Sequence, residues 1–161
     1  MNPKTDPIAS QEVTISPIAF VSSPAREMVD EGWGNVVARL KVRPEFAAGL
    51  RGLEQFSHAI VVTYLHLSSF DPARHTARRP RDLDSMPVVG IFSQRAKDRP
   101  NPIGITAVKI LGVGDGFIDV RGLDAVDGTP VLDIKPYVPQ FDRVAGATVP
   151  AWMDEVMAGY F

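Results

Sequence analysis

The residues best equipped for chemistry cluster in one window of the chain. Seven of the 17 lysines and arginines lie between residues 71 and 100: Arg74, Arg78, Arg79, Arg81, Arg95, Lys97 and Arg99. Only four acids share that window, Asp71, Asp82, Asp84 and Asp98, a local excess of three positive charges in a chain of net charge −2. Such an excess favours an anionic partner, although the chain as a whole is not basic and any nucleic-acid contact must be local. Two histidines, His58 and His66, flank or lie in an apolar run, and each alone reads as a core histidine with a hydrogen-bond partner. Asp127-Gly128-Thr129-Pro130 alone reads as a turn before a strand.

One string misleads. Gly112-Val113-Gly114-Asp115-Gly116 has the glycines of a phosphate-binding loop, but such a loop must open a helix after a strand. Here Phe117-Ile118-Asp119-Val120 follows and alternates like a strand, so the string is a hairpin loop.

Bulk properties narrow the function further. There is no cysteine, which excludes disulfides and thiolate metal sites. With three histidines (His58, His66, His75) and no ligand spacing, no metal is expected. No apolar run approaches the roughly 20 residues of a membrane span, and the polar N-terminus lacks the apolar stretch of a signal peptide. The expected location is cytoplasmic. Residues 1–12 read as a flexible leader and residues 13–161 as one domain.

The elements that must position these groups are mostly strands. Segment 13–21 is apolar and β-branched. Segment 36–42 alternates, with Val36, Ala38, Leu40 and Val42 on one side. Segment 44–53 reads as one or two helical turns opened by Pro44. Segment 59–67 (AIVVTYLHL) reads as a buried strand. Residues 70–86 read as a long functional or mobile loop carrying Arg74, Arg78, Arg79 and Arg81 on an exposed face. Strands follow at 87–92, 105–111, 117–121 and 129–134, with RPNPIG (99–104) as a rigid turn. Val149, Trp152, Met153, Val156, Met157 and Tyr160 follow helical spacing. The fold class is all-β dominated: a small β-barrel of about six or seven strands with a C-terminal helix.

Three strings are more specific than any of this: GLEQFSH (52–58), GIFSQRAKDRPNPIG (90–104) and GLDAVDGTPVLDIKPY (122–137). Together they resemble the TsaA-like (TrmO-type) tRNA methyltransferase family, from about residue 18 to residue 142. The resemblance implies a β-barrel that binds S-adenosyl-L-methionine without a Rossmann fold, works as a homodimer, and methylates N6 of threonylcarbamoyl-adenosine beside the tRNA anticodon. It carries cofactor contacts to His66, Leu67, Arg95, Ile105, Asp124, Ala125, Val126 and Asp127, and more loosely to Asp30, Glu31 and Gly32. If the reaction uses a base, Asp127 or His66 are the candidates by position. In this sequence Arg95-Ala96-Lys97 replaces the Arg-Ser-Pro or Arg-Ser-Thr of many members. The chain also stops at Phe161, where longer bacterial enzymes continue into a further domain.

The chemistry expected of these residues is simple. Arg95 grips a carboxylate through two parallel hydrogen bonds. Asp124 and Asp127 accept from hydroxyl or amino groups. Leu67 and Ile105 wall an adenine. The prolines around Asn101 restrict φ and help set Ile105. Arg74, Arg78, Arg79 and Arg81 meet RNA phosphates. Two further readings share the cofactor pocket: a methyltransferase with another acceptor, and a non-catalytic barrel that binds an adenosyl ligand or RNA.

Overall fold

A computed structural model describes residues 11–161. The expected leader falls largely on residues 1–10, outside the described residues; Gln11 and Glu12 are exposed and belong to no element. Among the described residues eight strands are formed: β1 (Ala19–Ser22), β2 (Val37–Val42), β3 (His58–Tyr64), β4 (Ala77–Arg78), β5 (Val89–Gly90), β6 (Ile103–Gly114), β7 (Phe117–Arg121) and β8 (Pro130–Pro136). Of the short α-helices, α1 (Pro72–His75) lies between β3 and β4, and α2 (Pro139–Asp142) and α3 (Trp152–Met157) follow β8.

Six strands close into an antiparallel barrel in the order β1-β2-β7-β6-β3-β8, while β4 and β5 form a separate ribbon. Closure pairs most of the strand edges within the barrel. Strand alternation fixes the core. Ala38, Leu40 and Val42 of β2 point inward and are buried, as the sequence pattern requires. They meet Ala19 and Val21 of β1 and Ile118 and Val120 of β7, across register pairs such as Val21↔Leu40 and Leu40↔Ile118. Ala59 and Val61 of β3, Val108 of β6 and Val131 of β8 complete the filling. Burying a side chain such as Leu40 stabilises the fold by about 1.5–3 kcal/mol.

Several boundaries differ from the sequence reading. Segment 13–17 forms no element, and strand pairing starts only at Ala19. The run 59–67 stops pairing at Tyr64, and Leu67 is exposed. Segment 87–92 contributes only Val89–Gly90, because a 3-10 turn, Ile91–Ser93, follows at once. The long segment 70–86 contains α1, β4 and a 3-10 turn at Pro80–Asp82. The glycine string 112–116 is the β6–β7 hairpin: Gly114 pairs with Phe117, and Gly116 turns at φ 74°. The C-terminal helix ends at Met157, leaving Tyr160 in a tail rather than on its apolar face.

β6 is the element that matters for the site. It pairs with β3 over Ile103 to Lys109 and with β7 only from Lys109 onward. A register shift between Ile110 and Gly112 interrupts the β6–β7 ladder. On the β7 side, residues 103–108 therefore have no strand partner.

Candidate active site

The unpaired side of β6 is met by side chains instead of a strand. Arg95, just before the RPNPIG turn, donates through Nη2 to the carbonyl of Ile105. The turn itself is pinned: Leu65 N–H donates to the carbonyl of Pro102 at 2.7 Å, and Ile103 N–H to that of Asn101 at 2.7 Å. Gly104 is required here, since a Cβ would lie 2.6 Å from Thr63 Oγ1 and 3.1 Å from Leu65. Ile105 stays 51% exposed, an apolar side chain with no protein cover.

Asp124 faces the same strand. Thr106 Oγ1 donates to its Oδ1, and Tyr160 Oη donates to its Oδ2 at 2.6 Å. Burial, and then the Asp124 charge, pushes the Tyr160 phenol well above its ordinary range, so it remains a neutral donor. Arg95 is close enough to Tyr160 to oppose that shift. Arg95, Ile105, Asp124 and Tyr160 thus form one group.

Asp127 sits three residues on with different partners. Its carboxylate accepts the Ser23 backbone N–H at 2.9 Å and an Arg26 guanidinium N–H. Its own N–H donates to the Ala25 carbonyl at 2.8 Å, and Gly128 N–H to that of Val21 at 2.8 Å. The Asp-Gly turn is therefore clamped to the end of β1, with Gly128 at φ 77°. The Ser23 N–H first, then Arg26, holds the Asp127 carboxyl below the usual carboxylate range. A carboxylate with so little proton affinity is a weak base.

Between Asp124 and Asp127, Ala125 and Val126 are buried. Ala125 joins the barrel core. Val126 instead lines a shallow depression with Met28, His66, Leu67 and Lys97. Neither His58 nor His66 is the core histidine that each alone suggested: both are exposed, His58 bonding Ser57 Oγ at 2.8 Å. Both lie at or beyond strand ends, where the alternation no longer faces the core.

Asp30, Glu31 and Gly32 are exposed and lie beside the C-terminal tail. Gly32 N–H donates to the Gly159 carbonyl and Trp33 N–H to the Tyr160 carbonyl, both at 2.8 Å. Through Tyr160 this segment reaches Asp124. Tyr160, Thr106, Met28 and Lys97 had not been singled out as site residues from sequence. The helical spacing of Tyr160 gives no sign of its partner, which only the path of the tail brings to it.

Residues 29–143 match the family model described as the tRNA-methyltransferase O N-terminal domain. The chain belongs to this family. A curated relative from Methanothermobacter thermautotrophicus, named a probable S-adenosyl-L-methionine-binding protein, is 37% identical over 141 residues, covering 85% of this chain and 98% of its own. A Homo sapiens protein named tRNA (adenine(37)-N6)-methyltransferase is 42% identical over 93 residues, covering 58% of this chain and 21% of its own. A crystal structure of TrmO from Pseudomonas aeruginosa superposes with a TM-score of 0.70 at 33% identity, covering 86% of this chain and 62% of that one. The chain thus spans less than two thirds of that solved protein.

Within this TrmO-type domain the four arginines of the basic segment are not equivalent. Arg74 is exposed on α1 and has no ion-pair partner among the described residues. Arg78 and Arg81 are turned inward, their side chains only 21% and 20% exposed. Arg78 faces Asp98 at 3.8 Å, and Asp98 also accepts from the Ser69 N–H and Lys97 Nζ, each at 2.9 Å. Arg79 donates to the Met86 carbonyl. Arg81 donates through Nη2 to the Asp30 carbonyl at 2.6 Å. The expectation of a uniformly exposed basic face therefore fails for Arg78 and Arg81: the segment is folded by its own charges. Among the described residues no cluster of His, Asp or Glu suits a metal, and no helix is long and apolar enough to cross a membrane.

Proposed function

We propose that this domain is an S-adenosyl-L-methionine-dependent methyltransferase acting on N6 of adenine 37 in tRNA, with threonylcarbamoyl-adenosine as the acceptor. The observation that carries the reading is the family match over residues 29–143, together with the gathering of Arg95, Ile105 and Asp124 along the unpaired side of β6.

The donor set fits the cofactor. Its carboxylate needs a cation, which Arg95 supplies. Its amino and ribose groups need acceptors, and Asp124 keeps lone pairs free beyond the two bonds it already accepts. Its adenine needs an apolar surface: Met28 and Leu67 line the shallow depression, and Ile105 is a further exposed apolar side chain on β6. When bound, the cofactor supplies an electrophilic methyl group. The protein's task is to hold that methyl in line with the nitrogen and to exclude water. Asp127, with its depressed proton affinity, serves better as a fixed acceptor than as a base. His66, on the exposed rim of the depression, is the better-placed group to take a proton. Arg74 and Arg79 supply phosphate contacts that position the tRNA.

A homodimer completes the site. Tyr64 of β3 and Ile103 of β6 face each other across the sheet and are 44% and 43% exposed, next to Ile105. A twofold partner covers such a patch isologously. Light scattering at micromolar concentration should give twice the chain mass; a single-chain mass would remove the dimer. Under this reading the protein works in the cytoplasm, with tRNA as partner.

The test of the activity is incubation with methyl-labelled cofactor and total tRNA, followed by nucleoside analysis. Label on the N6 of threonylcarbamoyl-adenosine is the expected result. Cofactor binding without labelled nucleoside would overturn the acceptor and leave the cofactor assignment standing.

A further inference from the structure

The C-terminal tail is held on three sides. Its backbone pairs with Gly32 and Trp33. Phe161 lies so close to Gly34 that a Cβ there would be 2.5 Å from the Phe161 carbonyl carbon. From the other side, the Arg81 guanidinium sits 5.8 Å from the centre of the Tyr160 ring while its Nη2 holds the Asp30 carbonyl. A seryl hydroxyl, Ser85, donates to Glu155 of α3 at 2.9 Å and ties the preceding turn to the same basic segment. All of this delivers one polar atom, Tyr160 Oη, to one oxygen of Asp124.

We propose that Tyr160 is a positioning residue of the cofactor site: with Thr106 on Oδ1, its hydroxyl on Oδ2 fixes the plane of the Asp124 carboxylate that receives the cofactor. The inference rests on the assignment of Asp124 to the cofactor. A carboxylate with a donor on each oxygen cannot rotate about its Cβ–Cγ bond without breaking both bonds. Its remaining lone pairs are therefore aimed before the ligand arrives, which lowers the ordering cost of binding. The arrangement also gives Arg81 a role: it braces the Tyr160 ring and the 30–32 segment together. Residues from four separated parts of the chain, Asp30, Arg81, Asp124 and Tyr160, become one support.

The experiment is a double-mutant cycle. Tyr160→Phe keeps the ring, its packing against Arg81 and the tail's backbone bonds, and removes only the donor. S-adenosyl-L-methionine affinity is measured by calorimetry for the parent, Tyr160→Phe, Asp124→Asn and the double variant, with melting temperatures alongside. Loss of one charge-assisted hydrogen bond weakens binding on the order of tenfold. The expected result is that loss in Tyr160→Phe at an unchanged melting temperature, and no further loss when Tyr160→Phe is added to Asp124→Asn. In turnover assays the KM for the cofactor should rise while kcat holds. Parent-like affinity in Tyr160→Phe would overturn the proposal. So would an equal loss in both backgrounds, because the tail would then act on something other than Asp124. If the parent itself binds no cofactor, the cofactor assignment fails first, a result distinct from either of these.

Discussion

Along β6, residues 103–108 and residues 109–114 share a strand and differ in what covers their second edge. The later half is closed by β7 through hairpin pairs such as Val113↔Ile118, while β3 reaches only as far as Lys109. Its charged neighbours are ordinary exterior barrel contacts. On adjacent β7, Asp119 accepts Arg39 Nε at 2.7 Å and Nη2 at 2.8 Å, and the guanidinium stacks on Phe117. The earlier half lacks β7, and its uncovered side is served by Arg95, Asp124 and Tyr160. Under the proposed function the barrel offers a binding site here because one strand outruns its neighbour. The exposed backbone and side chains at the split are then free to meet a ligand.

That contrast is sharpest at the two arginines. Arg95→Ala should weaken cofactor binding by about 2–5 kcal/mol, the cost typical of truncating one partner of a desolvated charge pair, and should hardly move the melting temperature. Arg39→Ala should do the reverse: unchanged cofactor affinity, with a stability change of about 0–1 kcal/mol because the pair is at the surface. Calorimetry and thermal melts on both variants decide the matter. Equal effects on affinity would erase the distinction between the halves.

Two glycines on the same strand offer a second comparison. A Cβ at Gly104 would meet Thr63 Oγ1 at 2.6 Å, and one at Gly114 would meet the Phe117 ring at 2.3 Å. Each alanine variant should lose about 1–3 kcal/mol of stability through overpacking, read from denaturant midpoints. Only Gly104→Ala should also lower cofactor affinity, by shifting Ile105 and the carbonyl that Arg95 holds. If Gly114→Ala impairs binding as much, the site extends into the hairpin.

How much of this was legible in the sequence depended on whether a residue's role is local. The inward face of β2 could be read from alternation, and the glycine hairpin from the strand that follows it. Arg95, Ile105 and Asp124 were reached through the resemblance of their strings, and the fold brings them together. Tyr160 could not be read, because its partner lies 36 residues away and its spacing imitates a helix face. Nor could the inward turn of Arg78 and Arg81, which depends on Asp98 and on the Asp30 carbonyl in three dimensions. Charge counts register excess, and only geometry separates arginines used in folding from those left for a ligand.

The basic segment yields a smaller effect. Arg74→Ser should weaken tRNA binding and reduce the salt slope by about one unit, with cofactor affinity unchanged. Arg81→Ser should instead weaken cofactor binding through the tail. Affinity measured at several salt concentrations for both variants separates the roles, and interchangeable behaviour would restore a uniform basic face.

The smallest effect concerns acid. Asp127 has a lower folded than unfolded pKa, because the Ser23 N–H and Arg26 favour its charged form. Its contribution is therefore complete above about pH 4 and is lost as pH falls through the lowered folded value. Asp127→Asn should flatten the decline in melting temperature over that acid range. An unchanged acid limb would mean that other carboxylates dominate it.

Under the proposed function the cofactor lies against the half of β6 that β7 leaves uncovered. Amide hydrogen exchange with and without saturating S-adenosyl-L-methionine tests it directly. Strand amides that point away from β3 in residues 103–108 have no ladder partner and should exchange readily in the free protein. The cofactor should slow exchange in 103–108 and 122–127 and leave the hairpin amides of 109–121 as they were. Protection centred on the hairpin, or none in 103–108 at saturation, would contradict it.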